Sequence, residues 1–159
     1  MYNALYGDKI ISTYSPLIGN PAPELQLESF GGEKIDLESL KGKTVLLNFW
    51  ASWCNPCKQE AAALESSYVK LSNQEIEFIG INVMDDMPNA INYIKTYGGS
   101  FINGFDPNNK VHLDYGVEGV PETYFISPDG IVTDKYRGPL TEKIISFYIK
   151  RALEYKKES

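Results

Sequence analysis

The chain has 159 residues, 43% hydrophobic and 23% charged, close to the average folded domain, which excludes wholesale disorder. No uninterrupted apolar run approaches the roughly 20 residues that a membrane-crossing helix needs. The net charge is −6 and the basic residues are scattered, which argues against a nucleic-acid partner.

Residues 1–20 mix Gly, Pro and polar residues without a period, lack a signal-type apolar core, and read as a peripheral segment ahead of a domain over 21–155. Leu25/Leu27 and Ile35/Leu37 alternate around Gly31-Gly32, the pattern of a β-hairpin. Thr44–Phe49 is almost continuously apolar, which predicts a strand buried on both faces. Trp50 to Asn55 turn the chain. A helix follows from Pro56, with Leu64, Tyr68 and Leu71 at helical spacing. Pro56 suits the first turn, where its missing N–H costs least.

Ile76–Val83 reads as a second buried strand. Pro88 opens a helix with Ile91, Ile94 and Tyr97 on one face. This strand–helix–strand–helix order predicts a parallel sheet with right-handed crossovers. Gly98-Gly99 breaks the chain before a short strand near Phe101, which ends at Asp106-Pro107. A short helix over 109–115 follows. Thr123–Ser127 and Ile131–Tyr136 form a hairpin around Pro128-Asp129-Gly130. Thr141 caps a last helix through Glu154, carrying Ile144, Ile145, Tyr148, Ile149 and Leu153.

There are 2 cysteines, Cys54 and Cys57, and 1 histidine, His112. A zinc site needs about four ligands, so no metal is expected. A disulfide closing so small a loop is a poor structural staple, which leaves a pair that opens and closes. The pair sits where a buried strand turns into a helix. There the unpaired N–H groups and the positive end of the helix dipole favour a thiolate, the attacking species in disulfide exchange. Cys54 is the expected attacker, and Cys57, inside the first turn, the resolving thiol.

Asn48 to Cys57 (NFWASWCNPC) resembles the thioredoxin superfamily. Gly42-Lys43, Asn48-Phe49-Trp50 and Cys57-Lys58-Gln59-Glu60 resemble its TlpA/ResA/CcmG branch. Gly116-Val117 followed by Pro121-Glu122-Thr123 resembles the CcmG (DsbE) signature, and Ser15–Gly19 with Pro21-Ala22-Pro23 resembles the segment after that family's membrane anchor. The resemblance implies a thioredoxin-like α/β fold, a central mixed sheet flanked by helices with an extra N-terminal β-hairpin. It implies a thiol:disulfide oxidoreductase, a dithiol reductant in cytochrome c maturation, held in the periplasm by an N-terminal inner-membrane anchor ahead of this chain. Its partners would be apocytochrome c or a haem-ligation protein holding it, and a membrane thiol reductase of the CcdA/DsbD kind. No cofactor is implied.

The resemblance also assigns roles. Pro121 matches a cis-proline opposite the cysteines, leaving Val120 backbone groups free for a substrate strand. Trp53, Asn55, Pro56, Glu118 and Glu122 would line the substrate groove, with Glu122 as its acidic wall and Trp53 as an apolar cover over the disulfide. Glu60, one helical turn after Cys57, either takes the proton of Cys57 or is a solvated helix glutamate. Asn48 favours the first reading, because thioredoxin itself has a buried aspartate base there. Asp85-Asp86 are weaker groove candidates. Trp50, Tyr93, Tyr97 and Tyr148 read as packing, and His112 as exposed or capping. The competing readings are a disulfide-donating oxidant and an apocytochrome-binding chaperone with little redox turnover. A peroxiredoxin would need a Pro-x-x-x-Thr-x-x-Cys arrangement that the chain lacks.

Overall fold

The computed structural model describes residues 13–73, 75–106 and 108–156. Pro107 and the peripheral segment before residue 13 lie outside the described residues. The elements, in chain order, are strands β1 (Gln26–Ser29), β2 (Lys34–Asp36) and β3 (Thr44–Trp50), helix α1 (Asn55–Leu71), β4 (Ile76–Asn82), α2 (Met87–Tyr97), β5 (Ile102–Phe105), α3 (Lys110–Asp114), β6 (Glu122–Ile126), β7 (Val132–Arg137) and α4 (Glu142–Glu154). No helix among the described residues is long and apolar enough to cross a membrane.

The strands form one mixed sheet in the order β2-β1-β5-β4-β3-β6-β7. β3, β4 and β5 are parallel, as their helical crossovers require. The N-terminal hairpin joins the outer side of β5 antiparallel, and the β6–β7 hairpin joins β3 on the other side. β3 is buried along its whole length because it feeds both cores. Val45, Leu47 and Phe49 pack with Leu25, Ile79, Ile81, Tyr115 and Tyr124 on one face. Leu46 packs with Leu64, Phe78, Phe125, Tyr148 and Ile149 on the other, beneath α1 and α4. Period two then puts Asn48 and Trp50 on the α1 side.

Two packing expectations are corrected. The apolar face expected for α2 was Ile91, Ile94 and Tyr97. Ile91 is 39% and Tyr97 40% exposed, while Ala90 and Tyr93 are buried. The cause is an aromatic stack, since the Tyr93 ring lies 4.5 Å from that of Trp50 and sets the helix's rotation. In α4, Leu153 is 41% exposed and Ala152 takes the inner position.

Residues 13–20, expected to be peripheral, run along the outer edge of β7. Thr13 N–H donates to the Lys135 carbonyl at 2.8 Å, Gly19 N–H to that of Val132 at 2.8 Å, and Val132 N–H to that of Asn20 at 2.9 Å. Leu17 and Ile18 pack on the core, so this strap covers what would be an open sheet edge.

Candidate active site

β3 ends at Trp50, and the chain turns through Ala51–Cys54 into α1. Cys54 is the helix N-cap, and its Sγ accepts the Cys57 N–H at 3.1 Å. The two cysteines are joined in a disulfide, 3% and 1% exposed respectively. Pro56 lies in the first turn of α1, and both Asn55 and Pro56 are exposed.

The turn is clamped from the loop after β4. Asp85 accepts the Ser52 N–H at 2.6 Å, the Ser52 hydroxyl at 2.8 Å and the Asn82 amide at 3.0 Å. Burial works to raise the Asp85 pKa, but these bonds and one from the Asp86 N–H outweigh it and hold the carboxyl below its usual range. Asp86 itself caps α2 by accepting the Asn89 N–H at 3.0 Å. The groove candidates Asp85-Asp86 are thus the anchor of the cysteine turn and a helix cap.

The apolar bed of the disulfide is Trp50, Ala51, Ala90 and Tyr93, with Phe30, Ile94 and Val120 at its margin. Trp53 was expected to cover the pair. It is 59% exposed, and its indole N–H donates to the Met84 carbonyl at 2.9 Å. Trp50, expected only as core, is part of that bed. Its indole N–H donates to Asn103 Oδ1 at 2.9 Å. That bond passes so close over Gly80 that a Cβ there would lie 1.9 Å from the Asn103 oxygen, which explains the glycine in the middle of β4.

Glu60 is 1% exposed, so the solvated alternative does not hold. It lies one turn after Cys57 on the buried face of α1. Its Oε2 accepts from the Asn48 amide at 2.7 Å, and its Oε1 accepts the Leu140 N–H at 3.2 Å. Asn48 also donates to Thr123 Oγ1 at 3.1 Å. Burial dominates these two bonds and pushes the Glu60 pKa from 4.5 up to about 8. Burial, and after it the nearby Glu60 charge, push the Tyr93 phenol up as well.

The Val120–Pro121 bond is cis, and Val120 packs against the disulfide's bed. Glu122 does not line an open groove, because it is 0% exposed. Its Oε2 accepts the N–H groups of Glu118 at 2.9 Å and Gly119 at 2.8 Å, so it holds the loop from beneath. It pairs with Lys135 on β7, and the Arg137 Nε stands 3.7 Å away. Glu118 is exposed at the rim and pairs with Arg137 at 3.2 Å. The acidic wall is therefore a compensated charge network.

His112 is buried rather than exposed, and its Nδ1 meets Asp106 at 3.3 Å. Asp106 also accepts the Val111 and His112 N–H groups at the start of α3. Sequence reasoning placed no function on Lys135 or Asn103. The only available signal was a lysine and an asparagine inside otherwise buried strands.

The AhpC/TSA family profile matches residues 18–135. The chain is 36% identical over 150 residues to the thiol-disulfide oxidoreductase ResA of Bacillus subtilis (strain 168), covering 94% of this chain and 81% of that protein. It is 37% identical over 158 residues to the thiol:disulfide interchange protein DsbE of Escherichia coli (strain K12), covering 96% and 83%. Among solved structures, a DsbE-type thiol:disulfide interchange protein from Chlorobium tepidum superposes with a TM-score of 0.79 at 27% identity, covering 86% of this chain and 97% of that one.

Proposed function

We propose that this chain, which belongs to the AhpC/TSA family and within it to the thioredoxin-like thiol:disulfide oxidoreductases, is a dithiol reductant of cytochrome c maturation. The observation that carries the reading is the buried Glu60 carboxyl, raised to about 8, one helical turn behind Cys57. An exposed glutamate is far too weak a base for a thiol, whose ordinary pKa is about 8.5. A carboxyl near 8 is matched to one, so the proton moves between them at little cost.

The exchange runs in two attacks. The reduced protein presents Cys54 as a thiolate, favoured by the Cys57 N–H and the helix N-terminus. Its Sγ attacks one sulfur of the substrate disulfide, breaking the S–S bond and releasing the other sulfur as a thiolate. Cys57 then loses its proton to the ionised fraction of Glu60, which grows as pH rises toward 8, and its Sγ attacks Cys54 Sγ. The mixed disulfide breaks, the Cys54–Cys57 bond forms, and two electrons have passed to the substrate. The Val120 backbone beside the disulfide serves as the pairing edge for the substrate strand, with Pro121 holding its direction. Trp53, Asn55, Pro56 and Glu118 form the exposed rim around it.

The substrate is apocytochrome c or a haem-ligation partner holding it, and the electrons come from a membrane thiol reductase of the CcdA/DsbD kind. The location is the periplasm, at the inner membrane. The test is a stopped-flow reaction of the reduced protein with an oxidised Cys-x-x-Cys-His peptide. Stoichiometric peptide reduction, with loss of the protein's two thiols, is expected. An oxidised protein that instead drives the reduced peptide to its disulfide would overturn the direction.

A further inference from the structure

We infer that Lys135, through its buried ion pair with Glu122, positions the loop from Gly116 to Pro121 for docking of the substrate strand. The inference rests on that loop being the docking edge proposed above. Glu122, the first residue of β6, grips the middle of the loop by accepting two successive N–H groups on one oxygen, at 2.9 and 2.8 Å. Its other oxygen meets Lys135 of β7, a side chain only 4% exposed. The Lys135 ammonium also reaches the Gly116 carbonyl at 3.5 Å, the first residue of the loop, and stands 5.1 Å over the Tyr124 ring. One ion pair thus holds the loop at its beginning and its middle, and Val120 comes next.

The arrangement is not what stability alone would select. Lysine is among the residues least often buried, and a buried ion pair is commonly matched in stability by apolar residues of similar volume. What it provides is a fixed negative charge in a dry place, and two backbone N–H groups orient on that charge. Without the ammonium, the buried carboxyl keeps only the more distant Arg137 guanidinium, at 3.7 Å, and its hold on the two N–H groups weakens. Val120 then loses its fixed position beside the disulfide, while the Cys54, Cys57 and Glu60 groups, carried by α1, keep theirs. Lys135 is therefore a positioning residue acting on docking, separate from the sulfur chemistry.

The test compares wild type, Lys135→Met and Lys135→Met/Glu122→Gln, all reduced. Each is mixed with the oxidised Cys-x-x-Cys-His peptide and, separately, with dithiodipyridine, a small disulfide that needs no docking edge. Lys135→Met is expected to slow the peptide reaction about tenfold through KM, leaving kcat and the dithiodipyridine rate within about twofold of wild type. The double variant, which lacks the charge as well as the ammonium, is expected to slow the peptide reaction no further than Lys135→Met alone, the non-additivity expected of coupled residues. Equal slowing of both reactions, or an unchanged peptide rate in a folded variant, would overturn the inference. Lys135→Gln replaces Lys135→Met if the latter does not fold. If wild type reduces dithiodipyridine but not the peptide, the reductant reading fails by itself. The comparison is then run with oxidised protein and reduced peptide, where the same docking loss is expected and its absence overturns the inference.

Discussion

Cys54→Ser is expected to lower peptide reduction by about a thousandfold or more, while Cys57→Ser leaves the first attack intact and accumulates a mixed disulfide at Cys54. The asymmetry follows from the helix start. Cys54 occupies the N-cap, where its Sγ accepts the Cys57 N–H at 3.1 Å and faces the positive end of α1. Cys57 lies inside the first turn, 1% exposed, on the Glu60 face. Mass spectrometry of each variant after reaction with the peptide checks this. A peptide adduct on Cys57 in Cys54→Ser, forming as fast as the adduct on Cys54 in Cys57→Ser, would reverse the assignment.

Glu60→Gln is expected to slow the resolving attack of Cys57 about 100-fold and to remove its rise with pH around 8, the contribution of a positioned base. Single-turnover decay of the mixed disulfide between pH 6 and 9.5 reads it out. The same substitution has a signature in stability. Unfolded, Glu60 ionises near 4.5, whereas folded it does so near 8. Below the lower value both states hold the proton and nothing is lost. Between the two, the unfolded chain releases a proton that the folded one keeps, so stability falls as pH rises, and the penalty is complete above the upper value. The wild type should therefore lose on the order of a few kcal/mol between pH 5 and 8 from this group, and Glu60→Gln should not. Urea unfolding at the two pH values measures the difference. Equal pH slopes for the two proteins would refute burial as the source of the shift. The site can accommodate the glutamine, since Asn48 and Thr123 can exchange donor and acceptor roles around it.

The elements with one dominant cause were legible in the sequence. Thr44–Trp50 alternates between two cores, and its almost continuously apolar run reads as a doubly buried strand. The cysteine turn was legible because Pro56 and a run of helix formers follow it directly. What failed depended on partners distant in sequence. The rotation of α2 is set by Trp50, more than 40 residues before Tyr93, and no periodicity within the helix contains that contact. The carboxylates show the same limit. Spacing puts Glu60 and Glu122 near the pair but does not say that each is buried. Glu60 is buried under α4's approach, where the Leu140 N–H meets it, and Glu122 by Lys135 from the adjacent strand. Alternation in β7 offered no reason to expect an ammonium inside the sheet.

The most direct test of the central claim is the reduction potential of the Cys54/Cys57 pair at pH 7, set by thiol-buffer equilibration and followed through tryptophan fluorescence. A value between about −200 and −270 mV, toward the thioredoxin end of the scale, is the result predicted for a reductant. A value near about −120 mV, that of a strong periplasmic oxidant, would contradict it and make the protein a disulfide donor.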